Sequence, residues 1–486
     1  MLFLCRKIFR IETVTIPKAE YEALKQTILD LQAQVKALQE EIKLLREENK
    51  SLREENHLLK NGRKSNTSST PPSHDFGRSK KTSLREPTTR KPGGQPGHEG
   101  TALLMKEIAD TVVEYRPDYC QQCGEGLSIA EAILVARKQE IELPPIIPVY
   151  VEHQSYSCTC KKCSAVTVSE LPERLKASIQ YAPKVSAWVA YLSVRQYLPY
   201  QRIAEFFRDC LNMPLCQGTI DNMLKDLTAK AEPIYENIKQ RVSQSPVVGG
   251  DETGIKIKGA KNNKGWLFTF QTPLLTFLAV SLSRGFDTIS NLFKNGFLIS
   301  VYVTDCLPAQ LKVNAKAHQI CLSHLLRELN NFIDVFKCKW SIQLKELFKQ
   351  ALELKLQMNP QDYLPAGQAG LSANEKVIFI QQELDRLLQT ERTDKQKKVR
   401  TFIKRLNKNH DSILTFLYHP KVPPDNNGSE RAIRNAKVKM KVSNQFRAFA
   451  GAHRFAVLRS IIDTTIKNSQ NVLEALSLLP NLVGKS

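Results

Sequence analysis

The sequence predicts a multidomain protein in which an N-terminal α coiled coil, a small cysteine-rich module and a helical region precede an α/β domain. Three observations carry this. Leucine recurs at every seventh position from Leu24 to Leu59, two Cys-x-x-Cys pairs follow a polar linker, and alternating, β-branched runs after Pro246 are interrupted by helix-like stretches. A chain of 486 residues also exceeds what one hydrophobic core usually supports.

The coiled coil is expected over residues 16–60. Leu24, Leu31, Leu38, Leu45, Leu52 and Leu59 form the d positions, and Ile28, Val35 and Ile42 the a positions. β-Branched residues at a with leucine at d favour two parallel strands, and Asn49 and Asn56 at later a positions fix the register. Glu41, Glu48 and Glu55 at g face Arg46, Arg53 and Lys60 at the following e, so a homodimer through residues 21–60 is expected.

Residues 61–110 are rich in Ser, Thr, Pro, Gly, Lys and Arg without apolar periodicity, which reads as a basic flexible linker. The cysteine module spans 111–170. Its Cys120-x-x-Cys123 and Cys160-x-x-Cys163 knuckles each present two sulfurs to one ion, the pattern of a structural Zn2+ held by four thiolates. Cys158 is an alternative to Cys160, and Val149–Ser157 between the knuckles is strand-like. Residues 171–244 read as helices broken at Met213-Pro214. A helix-turn-helix is compatible with that break, but the spacing is not specific and a plain helical packing unit is the favoured reading.

The last domain is expected over 245–475. Strands at Pro246–Lys258, Trp266–Gln271 and Leu275–Ser281, a helix at Thr288–Lys294, a strand at Phe297–Thr304 and then the stretch Ile320–Leu329, which begins with Cys321-x-x-His324, are read as a β-β-β-α-β-α-β order. That is the order of a ribonuclease-H-like domain. Such a fold brings carboxylates from its first and fourth strands together, where Asp251 and Asp305 lie. A third acid, Glu430, sits just inside a helix started by Asp425-Asn426-Asn427-Gly428-Ser429. Three carboxylates suit two Mg2+ (or Mn2+) ions roughly 3.5–4 Å apart, the apparatus of phosphoryl transfer. Glu252 points to the opposite face of its strand and is set aside. Arg431, Arg434, Lys437 and Lys441 continue the Glu430 helix as cations for DNA phosphates, and Cys321 and His324 read as a buried pair supporting the site.

Lys and Arg outnumber Asp and Glu by 70 to 49, a net charge of +21 that favours a polyanionic partner, with DNA foremost. No apolar run approaches the roughly 20 residues of a membrane span. The first residues, Met1 to Ile11, lack the apolar core of a secretory signal, and clustered thiols fit a reducing compartment, so a cytoplasmic protein is expected.

The motifs GRKSNTSSTPPS and KPGGQPGHEG in the linker, YLSVRQYLPYQRIAEFF, DETG at Asp251, Cys321-x-x-His324 and DNNGSERAIR around Glu430 occur in this order. In these the chain resembles the transposases of the insertion sequence 66 family over nearly its whole length. The resemblance implies a DDE-type transposase whose acids match Asp251, Asp305 and Glu430, with a helical insertion over about 325–418. It also implies a bacterial mobile element with terminal inverted repeats and target DNA as substrates, a nucleoid-associated protein, and element-encoded accessory proteins. Cys306-Leu307-Pro308 after Asp305 departs from the Gly-Tyr of the family. The contrasting expectation is a non-catalytic DNA-binding regulator built from the zipper and the zinc module.

Overall fold

In the computed structural model the described residues are 16–60, 97, 103–128, 132–363, 374–389 and 397–482, with the side chains of 54–60 excepted. Most of the linker, including all of one quoted motif and all of the other but Gly97, thus lies outside the described residues, as do the side chains of Asn56 and Leu59 at the far end of the zipper seam. The chain divides into two compact units, one of the N-terminal helix with Leu322–His410 and one of Ser79–Cys321 with Asp411–Ser486.

Helix α1 runs Lys18–Lys60. Its leucine and β-branched a and d positions from Leu24 to Leu52 stand open to solvent; Leu31 is 53% exposed, Val35 51% and Leu45 50%. A short hairpin, β1 (Ser157–Thr159) and β2 (Val166–Val168), follows in the cysteine module. Of the strand expected at Val149–Ser157 only Ser157 lies in a strand, the start of β1, with the Tyr156 carbonyl accepting from the Ser169 N–H at 2.9 Å beside it.

The helical region consists of α2 (Pro183–Ala190), which continues into a π-helical turn at Tyr191–Arg195, then α3 (Tyr200–Leu211) and α4 (Gln217–Ser243). The break expected at Met213-Pro214 is there: α3 ends at Asn212 in the left-handed region, φ 46°. Ile203 and Phe207 of α3 and Ile220, Leu224 and Leu227 of α4 are buried in a shared core, the packing-unit reading of this stretch.

Strands β3 (Val247–Lys256), β4 (Lys264–Gln271) and β5 (Thr276–Ser281) form an antiparallel meander. Helix α5 (Phe286–Leu292) leads to β6 (Phe297–Thr304), which lies parallel to β3, and the short α6 (Pro308–Leu311) leads to β7 (Ala315–Ile320). The sheet order is β5-β4-β3-β6-β7, so β3 is central. One face carries an aromatic cluster in which Phe293 lies 4.8 Å from both Phe270 and Phe297.

Helices α7 (Leu322–Phe336), α8 (Lys339–Gln357), α9 (Glu375–Gln389) and α10 (Lys397–Lys408) form the helical part of the other unit. Their core is built on Trp340, Phe348, Leu384 and Phe402, and the Trp340 indole N–H donates to the Leu387 carbonyl at 2.9 Å. This helical segment ends at His410. Residues 411–418 join the sheet unit, where Gln319 of β7 donates to the Ile413 carbonyl and accepts from the Phe416 N–H.

Helices α11 (Asn427–Ser443), α12 (Phe449–Lys467) and α13 (Val472–Leu478) complete the sheet unit. α11 packs on β3 and β4, and α12 on β5 and α4. Among the described residues, no helix is long and apolar enough to cross a membrane.

Candidate active site

The centre of β3 is built for close approach on both faces. A Cβ at Gly249 would lie 2.6–2.9 Å from the side chains of Gln271, Ser429 and Asn426, so only glycine lets the start of α11 settle on the strand. A Cβ at Gly250 would overlap the ring of Tyr302, which fills the other face. Alternation then puts Asp251 on the side of Gly249 and α11, and Glu252 on the side of Gly250 and Tyr302.

The beginning of α11 is fixed by its own motif. The Asn426 side-chain amide donates to the Gly250 carbonyl at 2.7 Å and its oxygen accepts from the Ser429 hydroxyl at 2.7 Å. Its main-chain N–H donates to the buried Cys321 sulfur at 3.2 Å. Asp425, expected to cap the helix, stands one residue before the N-cap Asn426 and accepts from the Asn427 N–H at 3.0 Å. Gly428 lies against the Gln271 side chain, which Lys467 holds by an ammonium hydrogen bond of 2.9 Å. Glu430 follows in the first turn, directed by these anchors toward β3.

Asp251, Asp305 and Glu430 come from a strand, from the turn after β6 and from a helix, and the charges of the last two both bear on Asp251. Burial pushes the Asp251 carboxyl well above its usual range, and the charges of Asp305, Glu252 and Glu430 add to this, opposed by the Glu252 N–H. Burial likewise raises Asp305, with Glu252 adding and Arg284 subtracting, to about 7. One Asp305 oxygen is buried without a hydrogen-bond partner. These are the marks of a carboxylate cluster suited to a cation: hard oxygen donors, mutual repulsion and an unsatisfied buried acceptor fit Mg2+ or Mn2+. Among the described residues, however, no three or more His, Cys, Asp or Glu side chains converge closely enough to hold one ion. A two-ion arrangement does not demand that convergence, since each ion takes only part of the set.

Of the α11 cations, Arg431, Arg434 and Lys441 are exposed, whereas Lys437 is partly buried; burial lowers its pKa while the Asp251 charge raises it. Lys437 is therefore the one turned toward the acids. His324 on α7 is held neutral: burial, then the charges of Arg327 and Arg405, lower it to about 4.

Each cysteine knuckle is built in the same way. The Cys120 N–H donates to the Glu125 carbonyl at 2.8 Å and the Gly124 N–H to the Cys120 carbonyl at 2.9 Å; Cys160 with Ala165 and Ser164 with Cys160 repeat the pattern at 2.8 Å each. The N–H groups of Cys123 and Gln122 lower the Cys120 thiol, and those of Cys163 and Lys162 lower Cys160. Cys158 lies instead on β1 opposite Thr167. The four knuckle cysteines, all among the described residues, do not converge as one site.

Sequence reasoning missed three groups. Gln271 and Lys467 buttress α11, but neither stands in a motif that marks it. Glu252, set aside for pointing away from Asp251, is buried and carries a network of its own, for which its alternation on a buried strand was the available signal. The third is a buried polar cluster. Arg459, 1% exposed, donates to Asp463 at 2.6 Å, to the Tyr197 hydroxyl at 2.9 Å and to the Val194 carbonyl at 3.2 Å. The Tyr197 hydroxyl donates to Asn435 of α11 at 2.7 Å. The YLSVRQY segment thus anchors the helix that bears Glu430.

Residues 178–454 match the model of the family described as Transposase IS66 family. The chain is also similar to an uncharacterized protein, y4hP, of Sinorhizobium fredii, 21% identical over 395 residues, which cover 73% of this chain and 68% of that protein.

Proposed function

The chain belongs to the Transposase IS66 family, and from that premise we propose that it is a DNA transposase that cleaves and joins insertion-sequence ends with Asp251, Asp305 and Glu430. The observation that carries the reading is that Asp251 feels the charges of both Asp305 and Glu430, although the three lie on separate elements far apart in sequence.

In this reading Asp251, Asp305 and Glu430 hold two Mg2+ or Mn2+ ions, which when bound activate the attacking oxygen and stabilise the leaving one. The protein's own share is positional and electrostatic. Asn426, Cys321 and Gly428 set the first turn of α11 so that Glu430 stays on the sheet. Lys437 beside Asp251, with Arg434 and Lys441 along the same helical face and Arg431 next to it, binds the phosphates of the DNA end. Water first attacks the phosphodiester at the element end and releases a 3′-OH; that oxygen then attacks a target phosphodiester, forming one P–O bond and breaking another. No covalent enzyme intermediate is needed.

The open leucine seam of α1 supports a parallel homodimer through residues 21–60. The matched knuckles support a structural Zn2+ on Cys120, Cys123, Cys160 and Cys163. Terminal inverted repeats as the specific substrate, element-encoded accessory proteins and a cytoplasmic, nucleoid-bound location belong to the same proposal. A second reading, a DNA-binding regulator without catalysis, draws on the incomplete convergence of the acids among the described residues.

A strand-transfer assay with pre-cut element ends and Mg2+ or Mn2+, comparing wild type with Glu430→Gln, separates the two. Joining by wild type alone supports the transposase. Binding by both proteins with joining by neither, accessory proteins supplied, supports the regulator.

A further inference from the structure

Glu252 adjoins Asp251 on β3 yet faces the opposite side of the sheet, and its side chain is 1% exposed. Burying a carboxylate costs several kcal/mol unless it is paired and hydrogen-bonded. Here both oxygens are engaged. Arg284 donates through Nε and a terminal nitrogen to Oε1 at 2.9 and 2.7 Å, and the Gln310 amide donates to Oε2.

The two partners come from informative places. Gln310, 1% exposed, lies on α6, just beyond the turn that carries Asp305 and passes through Cys306 at φ 72°. A left-handed non-glycine residue is held only where its surroundings over-determine it. Arg284 lies in the loop after β5, its guanidinium stacked 4.7 Å from the centre of the Trp266 ring of β4. One buried carboxylate therefore joins the strand of Asp251, the turn of Asp305 and the edge of the meander. An apolar residue at 252 would fill the space but would link none of them.

We propose that Glu252, through Gln310 and Arg284, is a positioning group that fixes the Asp305 turn against β3 and so sets the spacing of the Asp251 and Asp305 carboxylates for divalent-cation binding. This rests on the two-cation reading above. Groups that orient metal ligands from behind typically contribute 10–100-fold in affinity.

The test is titration of Mn2+ into the full-length, DNA-free protein, with free Mn2+ followed by electron paramagnetic resonance. Wild type is compared with Gln310→Ala, Gln310→Asn, the exchanged pair Glu252→Gln/Gln310→Glu, and Asp251→Asn. Gln310→Ala is expected to weaken Mn2+ binding roughly tenfold or more, Gln310→Asn less, and the exchanged pair is expected to recover part of the loss because an amide again donates to a carboxylate between positions 252 and 310, with Arg284 left to the amide oxygen. Circular dichroism verifies folding, and the milder Gln310→Asn carries the test if Gln310→Ala does not fold. Wild-type affinity in Asp251→Asn would overturn the two-cation reading itself. Loss in Asp251→Asn with wild-type affinity in the Gln310 variants, even with a lowered Tm, would overturn the positioning role alone.

Discussion

The side-chain amide of Asn426 reaches the main-chain carbonyl of Gly250 at 2.7 Å, one residue before Asp251 and four before Glu430. Because Asn426 is 2% exposed, this bond ties the helix of the third acid to the strand of the first inside the protein, where water cannot replace it. Asn426→Ala would leave the Gly250 carbonyl unsatisfied and is expected to lower stability by about 1–3 kcal/mol. Gly250→Ala, which drives a methyl into Tyr302, is expected to cost about the same through overpacking. Urea denaturation of both variants checks these values. An unchanged midpoint for Asn426→Ala would show that the anchor carries no weight.

The acids should also make the cation-free protein respond to pH. Asp305 is raised to about 7 in the folded state by burial and by Glu252, while an unfolded aspartate titrates near pH 4. Between those values the folded chain binds more protons than the unfolded one, so the contribution is full below about pH 4 and is lost as the pH rises through about 7. Asp251, also raised, has the same sign. Thermal melts in a chelator should show Tm falling from pH 5 to pH 8, with a smaller fall in Asp305→Asn. A Tm that rises equally in both proteins would contradict the raised carboxyls.

Cations on α11 are expected to act on DNA affinity more than on folding. Arg434 is exposed and Lys437 turns toward Asp251, so replacing either by alanine should weaken end binding and reduce the slope of log K against log salt by about 0.9 for each phosphate no longer neutralised. Fluorescence anisotropy over a salt series measures both quantities. A slope identical to wild type would remove these residues from the DNA interface.

How much of this was legible beforehand depended on whether a residue's task shows in local pattern. β3 to β6 alternate or carry apolar runs, so these strands could be read directly, and Asp251, Asp305 and Glu430 could be singled out as candidates on a strand, just after a strand and at a helix start. β7 was not placed: Ala315–Ile320 reads as Ala-Lys-Ala-His-Gln-Ile, and its Gln319 is buried only because residues 413–416 satisfy its amide. Arg459 lies in an apolar helical run and looks like a surface charge until Asp463 and Tyr197 close around it. Such groups are defined by partners distant in sequence, which periodicity does not report.

That buried cluster makes its own prediction. Arg459 and Asp463 have side chains 1% and 10% exposed, so removing one partner strands the other charge. Arg459→Met alone is expected to cost about 3–5 kcal/mol, whereas Arg459→Met/Asp463→Leu should recover much of the loss. Chemical denaturation of the single and double variants measures the difference. Equal destabilisation would mean that packing of the arginine stem, rather than the ion pair, dominates.

On the proposed zinc reading, the two cysteines that the spacing left open predict different outcomes. Cys160 begins a turn that repeats the Cys120 turn bond for bond, and its sulfur is approached by the N–H groups of Cys163 and Lys162. Such N–H groups stabilise a thiolate and thus favour a metal-bound sulfur. Cys158 sits on β1, across the hairpin from Thr167, outside that turn. Cys160→Ser is therefore expected to abolish stoichiometric zinc in the purified protein, and Cys158→Ser to leave it intact, as measured by elemental analysis after dialysis. Because zinc binding energy becomes folding energy in small modules, the Cys160 variant should also expose residues 111–170 to proteolysis. The reverse pattern of zinc content would transfer the ligand role to Cys158 and require the second knuckle to rearrange.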